Sequence, residues 1–195
     1  TIGHETGTRL SAMRGDFFEP KSIAVVGAST NTEKVGHVVL YNLVRYNYPG
    51  ALYPINPHAK EILGLRAYPS LTAVRDHIDL AVIVVPAPQV LPVIEDCGKK
   101  GVRAAIIISA GFKESGTEGT KRERELVRRA GELGVEFIGP NCFGVIDTRS
   151  RMNATFSAGV PPEGEVAFFS QSGALCVAVL DWAAAENIGF SKFIS

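Results

Sequence analysis

The residues that follow the first apolar stretch of the chain could bind a phosphate group. Segment 27–36 reads Gly-Ala-Ser-Thr-Asn-Thr-Glu-Lys-Val-Gly and joins a strand pattern to a helix pattern. Glycine lets a phosphate approach the backbone, and the free N–H groups of a helix N-terminus attract anions. Ser29, Thr30 and Lys34 could donate further hydrogen bonds. The GxGxxG spacing of dinucleotide sites is absent, so the segment predicts a phosphate site, with an ordinary turn as the alternative.

The residues after the second apolar stretch bear on which nucleotide is bound. Segment 55–60 reads Ile-Asn-Pro-His-Ala-Lys. Domains that bind NAD usually place Asp or Glu at this point to hold the ribose hydroxyls. Here no acid is present and Lys60 follows, which favours a nucleotide with an additional phosphate, either NADP or the 3′-phosphorylated ADP of coenzyme A. A solvated surface lysine is the alternative for Lys60.

Three further loops follow predicted strands and contain small or rigid residues. They begin at Val85-Pro86, at Ser109-Ala110 and at Gly139, the last leading to Asn141. Ligands of open α/β sheets bind at the carboxyl ends of the strands, where these loops lie. The side chain of Asn141 could bond an amide or carbonyl group. A plain strand terminator and a flexible loop are the alternatives for the first two loops.

Neither cysteine nor histidine chemistry is indicated. Cys142 could be a nucleophile, but no partner base can be named, and a lone cysteine is usually a small buried residue. The histidines show no metal-ligand or triad spacing and are interpreted as structural or exposed: His4, His37, His58 and His77. We therefore predict no catalytic residue and no metal site.

Apolar strands alternate with amphipathic helices along most of the chain. The strands are predicted at 22–27, 51–55, 79–85, 103–108 and 135–138. This order predicts an α/β fold with a Rossmann-like, doubly wound parallel sheet covered on both faces. Among the helix signals, Pro92 is expected in a first turn. Thr120 and Glu123 suggest a capping box, and Gly134 suggests a C-terminal stop.

A second unit is indicated toward the end of the sequence. Its signals are a strand at 165–169, a tight turn with Ser170, Ser172 and Gly173, a helix at 174–185 and a second strand at 189–194. This helix N-terminus could hold a phosphate or a phosphorylated side chain, and ordinary capping by Ser172 is the alternative.

The complete division predicts an N-terminal arm at 1–16, a Rossmann-like domain at 17–147, a connection at 148–164 and the start of a second domain at 165–195. Because two strands cannot close an α/β core, the second unit suggests a fragment of a longer protein.

Composition excludes several classes of protein. The 20 Lys and Arg balance the 20 Asp and Glu, which argues against a general nucleic-acid or membrane-surface binder. The three cysteines have no metal-ligand spacing and suit a reducing compartment. No apolar run reaches the ~20 residues of a membrane span, and no signal peptide pattern is found. These features predict a cytoplasmic protein.

Taken in order, these segments resemble the nucleoside-diphosphate-forming acyl-CoA synthetases. That family includes ADP-forming acetyl-CoA synthetase and the α subunit of succinyl-CoA synthetase. Each segment is weak alone, but their order and spacing are specific, and they lie at 18–29, 53–57, 85–88, 109–112, 139–142 and 169–174. The resemblance implies a CoA-binding Rossmann-like domain followed by the start of a flavodoxin-like domain.

The resemblance also implies roles for individual residues. Gly27, Ala28 and Ser29 would lie near the CoA phosphates, with Lys34 as a further donor. Lys60 would reach the nucleotide end. The CoA groove would be lined by Val85, Pro86, Ser109 and Ala110, with Asn141 near the thiol. The turn of Ser170, Ser172 and Gly173 would present a helix N-terminus to a phosphohistidine.

The family converts acyl-CoA, ADP and phosphate into acid, CoA and ATP through that phosphohistidine. The histidine, the grasp-type nucleotide-binding domain or β subunit, and the ADP or ATP with Mg would lie outside this chain. The segment alone is therefore expected to bind CoA without completing the reaction. A non-catalytic CoA-binding module, such as the synthetase-like region of a protein acetyltransferase, is the alternative. An NADP-dependent oxidoreductase is disfavoured by the missing fingerprint.

Overall fold

A computed structural model describes residues 17–195 of the chain. Its strands are β1 (Ser22–Val26), β2 (Ala51–Ile55), β3 (Glu61–Ile62), β4 (Leu65–Arg66), β5 (Leu80–Ile83), β6 (Ala104–Ile107), β7 (Glu136–Ile138), β8 (Gly144–Asp147), β9 (Met152–Thr155), β10 (Glu163–Phe169) and β11 (Phe190–Ile194). Its α-helices are α1 (Val35–Arg45), α2 (Ala87–Lys100), α3 (Thr117–Leu133) and α4 (Gly173–Ala185).

The main sheet confirms the predicted Rossmann-like α/β fold. Its order is β2-β1-β5-β6-β7, and every neighbouring pair is parallel. The chain leaves β1 toward β2 on one side and returns to β5 on the other, so the winding direction reverses between β1 and β5. Such a switch point leaves a crevice at the carboxyl ends of the strands, where α/β folds bind ligands.

Both faces of the main sheet are covered because successive side chains of a strand point to opposite faces. In β1, Ile23 and Val25 join the core beneath α1, whereas Ala24 and Val26 join the core beneath α2 and α3. All five β1 residues are buried, which explains why the strand is apolar from Ile23 to Val26. Helices on both faces make the fold doubly wound.

A second sheet has the order β10-β11-β8-β9 and mixes parallel with antiparallel pairs. The sequence patterns indicated neither β8 nor β9. Met152–Thr155 is a strand, although 148–164 was predicted as a connection. The turn between β8 and β9 is held by Asp147, whose Oδ1 accepts from the backbone N–H groups of Arg149 and Ser150. The hairpin therefore joins the second sheet.

Two of the predicted helix signals are wrong, namely the capping box of Thr120 and Glu123 and the place of Pro92 in a first turn. The N-cap of α3 is Gly116, and Thr120 lies inside the helix, where its hydroxyl donates to the Gly116 carbonyl. The Glu123 carboxylate accepts from the N–H of Lys113 in the preceding loop. No capping box forms, because the helix begins earlier than its apolar pattern does. The predicted stop is confirmed, since Gly134 is the left-handed C-cap of α3.

Pro92 lies past the first turn of α2, contrary to the prediction, and the helix continues through it. An interior proline costs about 3 kcal/mol because one backbone hydrogen bond is lost. The same helix buries Val90, Ile94 and Cys97 completely. Burial of one such large apolar side chain contributes about 1.5–3 kcal/mol, so packing against the sheet outweighs the lost bond.

Candidate functional site

A cleft of about 1250 Å³ lies at the carboxyl edge of the main sheet. It is bordered by the loops that follow β1, β2, β5 and β6, and by the turn before α4. All but one of the residues predicted to bind CoA line it, namely Gly27, Ala28, Ser29, Lys34, Val85, Pro86, Ser109, Ala110 and Asn141. The fold thus brings together loops that are far apart in the sequence.

Two glycines allow α1 to begin directly beside the loop after β1. Gly27 has a φ of +95°, and a Cβ atom there would lie 2.8 Å from the carbonyl oxygen of Val84. A Cβ atom on Gly36, in the first turn of α1, would collide with the carbonyl oxygen of Gly27. Any larger residue at either position would push the helix away from the loop.

The N-terminus of α1 is open to the cleft. Its N-cap, Lys34, has an extended backbone and no side-chain capping bond, and no acidic residue lies in the first turn. The first N–H groups of a helix lack intrahelical partners and carry the positive end of the helix dipole. Lys34 adds a positive charge at the same place, so the arrangement suits a phosphate group.

The loop between β1 and α1 is held by its own polar groups. The Ser29 hydroxyl accepts from the N–H of Asn31 (3.1 Å), and the Asn31 side chain accepts from the N–H of Glu33 (2.9 Å). The His37 ring donates from Nδ1 to the carbonyl of Ser29 (2.8 Å). The predicted structural role of His37 agrees with this bond, and hydrogen bonds among its own residues hold the loop.

Asn56, which sequence reasoning missed, ties two of the loops together. Its side-chain Nδ2 donates to the carbonyl of Ala28 (2.8 Å). Its Oδ1 accepts from the N–H groups of His58 (2.8 Å) and Ala59 (3.2 Å). An Asn placed directly after a strand and before a proline is a signal for such a turn, and it could have been recognised in the sequence.

Lys60 is the predicted residue that does not line the cleft. It is exposed, and its carbonyl accepts from the N–H of Ala67 (2.9 Å) at the base of the β3–β4 hairpin. His58, two residues earlier, lines the cleft instead. The chain turns away from the main sheet between these two residues.

The segment after β7 closes the opposite side of the cleft. The N–H of Asn141 donates to the carbonyl of Ser109 (3.0 Å), and the Ser109 hydroxyl donates to the carbonyl of Ile83 (3.4 Å). Asn141 has a φ of +55° and follows a cis Gly139–Pro140 peptide bond. Its side chain is exposed beside the cleft.

Cys142 is a packed thiol. Its Sγ donates to the carbonyl of Ile107 (3.3 Å), and burial raises the pKa of the thiol to about 12. A nucleophilic cysteine needs a lowered pKa. Cys142 is half-buried, and its geometry agrees with the interpretation of the thiol as a packed group.

The turn before α4 meets the cleft through Gly173 and Gln171, whereas Ser170 and Ser172 do not line it. The Ser172 hydroxyl accepts from the N–H of Leu175 (3.3 Å), so it is the N-cap of α4. The Ser170 hydroxyl accepts from the N–H of Ser172 (3.1 Å). Both serines thus stabilise the turn from within, while Gly173 and Ala174 at the start of the helix line the cleft.

Two aromatic residues that sequence reasoning missed, Phe143 and Phe156, line the same end of the cleft and contact each other edge to face. Phe156 is positioned from a distance, because Asn42 of α1 donates to the carbonyls of Thr155 (2.9 Å) and Ser157 (2.8 Å). Asn42 is buried, so these bonds replace its contact with water. No local pattern indicates this contact.

Within residues 17–195, no group of three or more His, Cys, Asp or Glu side chains could hold a metal ion. The charged or titratable groups that line the cleft are Lys34, His58, Asp96 and Cys142.

No helix in this part of the chain is both long and apolar enough to cross a membrane.

A doubly wound sheet with an open helix N-terminus at its switch point is the architecture of a nucleotide-binding domain. Residues 21–148 match the family model of the CoA binding domain, and residues 163–195 match that of the succinyl-CoA ligase like flavodoxin domain. The chain therefore belongs to the CoA-binding domain family.

Its relatives include ADP-forming acetate–CoA ligases. The chain is 51% identical to acetate–CoA ligase [ADP-forming] I of Archaeoglobus fulgidus over 91% of its own length and 26% of that protein. It is 46% identical to the α subunit of acetate–CoA ligase [ADP-forming] II of Pyrococcus furiosus, over 92% of the chain and 39% of the subunit. The chain thus spans well under half of these relatives.

A solved structure shows the same fold. Acetyl-coenzyme A synthetase 1 of Candidatus Korarchaeum cryptofilum, solved with phosphate and ADP, superposes with a TM-score of 0.89 and 47% identity. The match covers 94% of this chain and 39% of that one. The sequence resemblance to ADP-forming acyl-CoA synthetases is confirmed, and the chain corresponds to their CoA-binding portion.

Proposed function

We propose that the cleft binds coenzyme A for an ADP-forming acid–CoA ligase. The observation that supports this proposal best is the uncapped N-terminus of α1, which meets Gly27 and Lys34 at the switch point of the sheet. The diphosphate of CoA would lie there, on backbone N–H groups and the Lys34 ammonium group. The absence of an acid after β2 disfavours NAD, whose ribose hydroxyls usually bond an acid at that position.

The remaining lining residues suit the rest of the CoA molecule. Val85 and Pro86 after β5, with Ser109 and Ala110 after β6, offer a groove of small and apolar surfaces for the pantetheine arm. Asn141 could bond an amide of that arm near the thiol. The aromatic pair of Phe143 and Phe156 would then border the thiol end, where an apolar surface excludes water from the thioester.

We further propose that the turn at Ser170, Ser172 and Gly173 presents the N-terminus of α4 to a phosphohistidine. Support comes from Gly173, which lines the same cleft, and from the absence of an acidic residue in the first turn of α4. In the overall reaction, acyl-CoA, ADP and phosphate yield acid, CoA and ATP. This chain would hold CoA, while a grasp-type domain or β subunit would bind ADP and Mg. We also propose a cytoplasmic location.

The acetyltransferase alternative is not favoured, because the relatives described above are acid–CoA ligases. An oxidoreductase that uses NADP would need a nicotinamide-side catalytic group. Among the described residues that line the cleft, the ionisable groups are Lys34, His58, Asp96 and Cys142. The Cys142 thiol is protonated at neutral pH.

Calorimetric titration of the chain with CoA and with NADP tests the proposed function. We expect CoA to bind and NADP to give no saturable heat. Lys34→Ala should weaken CoA binding by roughly tenfold, since a charge-assisted hydrogen bond to phosphate is lost. Lys121→Ala is the matched control, because Lys121 is exposed on α3 and pairs with Glu118. Binding of NADP without binding of CoA would contradict the proposal.

A further inference from the structure

We propose that Asn42 of α1 is a positioning residue for Phe156, and that through Phe156 it lets the cleft prefer an acyl-CoA to free CoA. The inference rests on the proposed function, in which the diphosphate lies at the N-terminus of α1 and the thiol lies beside Phe156. It gives a role to a buried side chain that does not itself line the cleft.

Phe156 lies in a segment that needs support from outside. It follows β9, which is an edge strand of the second sheet, and residues 156–162 form neither helix nor strand. Its ring is 41% exposed, and it lines the cleft beside the buried Phe143, with 5.0 Å between the ring centroids. Connecting segments are generally more mobile than the elements they join, so an exposed ring keeps one place only if its backbone is held.

Asn42 holds the backbone on both sides of Phe156. Its Nδ2 group donates to the carbonyl of Thr155 (2.9 Å) and to the carbonyl of Ser157 (2.8 Å). Asn42 is 2% exposed, and a buried donor without a partner is costly, so the side chain keeps both bonds. The residue between the two carbonyls is therefore fixed relative to α1.

The Thr155 side chain closes the same turn from within. Its hydroxyl donates to the Asn153 Oδ1 atom (2.6 Å) and accepts from the N–H of Ser157 (3.1 Å). Thr155 is completely buried. The turn is thus tied internally, and Asn42 connects it to α1.

Helix α1 connects the two ends of the proposed ligand. Gly36 in its first turn packs against the Gly27 carbonyl in the phosphate loop. Asn42 lies further along the same helix, about 9 Å away at 1.5 Å of rise per residue. Because a helix is stiffer than a loop, the place of Phe156 follows the place where α1 would hold the diphosphate. An acyl group on the thiol would then meet a preformed apolar wall, whereas free CoA would leave that wall in contact with water.

Calorimetric titration of the chain with CoA and with butyryl-CoA measures this preference. Butyryl-CoA is the probe because its acyl chain adds apolar surface without charge. We expect the wild-type chain to bind it roughly tenfold more tightly than CoA, the size expected when about two methylene groups are buried. Phe156→Ala should remove most of this preference. Asn42→Leu, which has a similar volume but no donor, should remove as much, and neither change should alter the affinity for CoA.

A double-mutant cycle separates positioning from a general loss of stability. If Asn42 acts through Phe156, the double variant should show the same preference as each single variant, since both side chains serve one contact. Thr148→Val is the matched control. The Thr148 hydroxyl also donates to backbone carbonyls, those of Phe190 (2.6 Å) and Ser191 (3.3 Å), but Thr148 does not line the cleft. This control should retain the full preference.

The proposal is overturned if the wild-type chain binds both ligands equally, if Phe156→Ala or Asn42→Leu retains the preference, or if the two effects add in the double variant. Circular dichroism checks the fold of each variant. Should Asn42→Leu not fold, Thr155→Val removes the hydroxyl that closes the turn; it should reduce the preference, and full retention would overturn the proposal. These results differ from a failure of the proposed function, in which neither CoA nor butyryl-CoA binds the wild-type chain.

Discussion

Two helix N-termini reach the same cleft, and they are built differently. That of α1 has no side-chain cap, and its N-cap is the cation Lys34. That of α4 is capped by the hydroxyl of Ser172. Gly36 packs the first helix tightly against its loop, whereas a Cβ atom on Gly173 would meet nothing within 4 Å.

The difference indicates how each terminus could serve a phosphate. At α1, unsatisfied N–H groups and a lysine would attract the diphosphate of the proposed CoA ligand. At α4, the Ser172 hydroxyl satisfies one N–H group, and the remaining helix dipole would suit the phosphoryl group of the proposed phosphohistidine, which binds transiently. The two termini also differ in their surroundings. All five positions of β1 are buried, whereas β10 is mostly exposed and Phe169 at its end is 69% exposed.

The largest expected effect concerns the Cys142 thiol, which lines the cleft that the two termini share. Burial raises the pKa of Cys142 to about 12 and also raises the pKa of Cys176 on α4. At pH 8, Cys142 should react with iodoacetamide about a thousandfold more slowly than a free cysteine of pKa ~8.5, because the thiolate is the nucleophile. The rate should rise with pH up to about 12. Mass spectrometry of the alkylated peptides measures it, and rapid labelling of Cys142 at pH 8 would indicate an activated thiolate.

The next effect tests the close packing at α1. Gly36→Ala should weaken CoA binding by roughly a hundredfold, since the added Cβ atom meets the Gly27 carbonyl and overpacking costs about 1–3 kcal/mol or more. Gly131→Ala in α3 is the matched control, because nothing lies within 4 Å of its added Cβ atom. That control should stabilise the chain by about 0.5–1 kcal/mol. Equal behaviour of the two variants in calorimetry and thermal unfolding would refute the packing argument.

A smaller effect should follow when α1 is given a cap like that of α4. Lys34 already has the extended backbone of an N-cap, so Lys34→Asp should stabilise the helix by about 0.5–1 kcal/mol. The same change should weaken CoA binding by more than tenfold. The new carboxylate would occupy the place of the phosphate and would repel its negative charge. Lys34→Ser separates the cap from the charge. Tighter CoA binding in the Asp variant would mean that the phosphate lies elsewhere.

The smallest effect concerns the cap of α4. Ser172→Ala should lower the free energy of unfolding by about 1 kcal/mol, the usual cost of losing an N-cap. CoA affinity should not change, since Ser172 does not line the cleft. Denaturant titration and calorimetry on the same samples provide both values. A loss of CoA affinity comparable with that of Lys34→Asp would show that the two termini do not have separate roles.

The sequence alone was sufficient for the main sheet and for most of the cleft. Strands β1, β5 and β6 are buried on both faces, so each contains an apolar run of four residues that local pattern reveals. Because parallel strands place their carboxyl ends at one edge, the loops at Gly27, Val85 and Ser109 had to meet there. Their place along one cleft followed from this geometry without any knowledge of contacts.

The tertiary structure decided the features that depend on contacts between distant residues. Asn42 positions the loop of Phe156 through a bond to Thr155, 113 residues later in the chain, and no local pattern records such a contact. Lys60 was proposed for its charge, but the chain turns toward the β3–β4 hairpin before reaching it. His58 lines the cleft instead. Residue type and spacing therefore determined which strand ends meet, whereas the direction of each turn decided which side chains line the cleft.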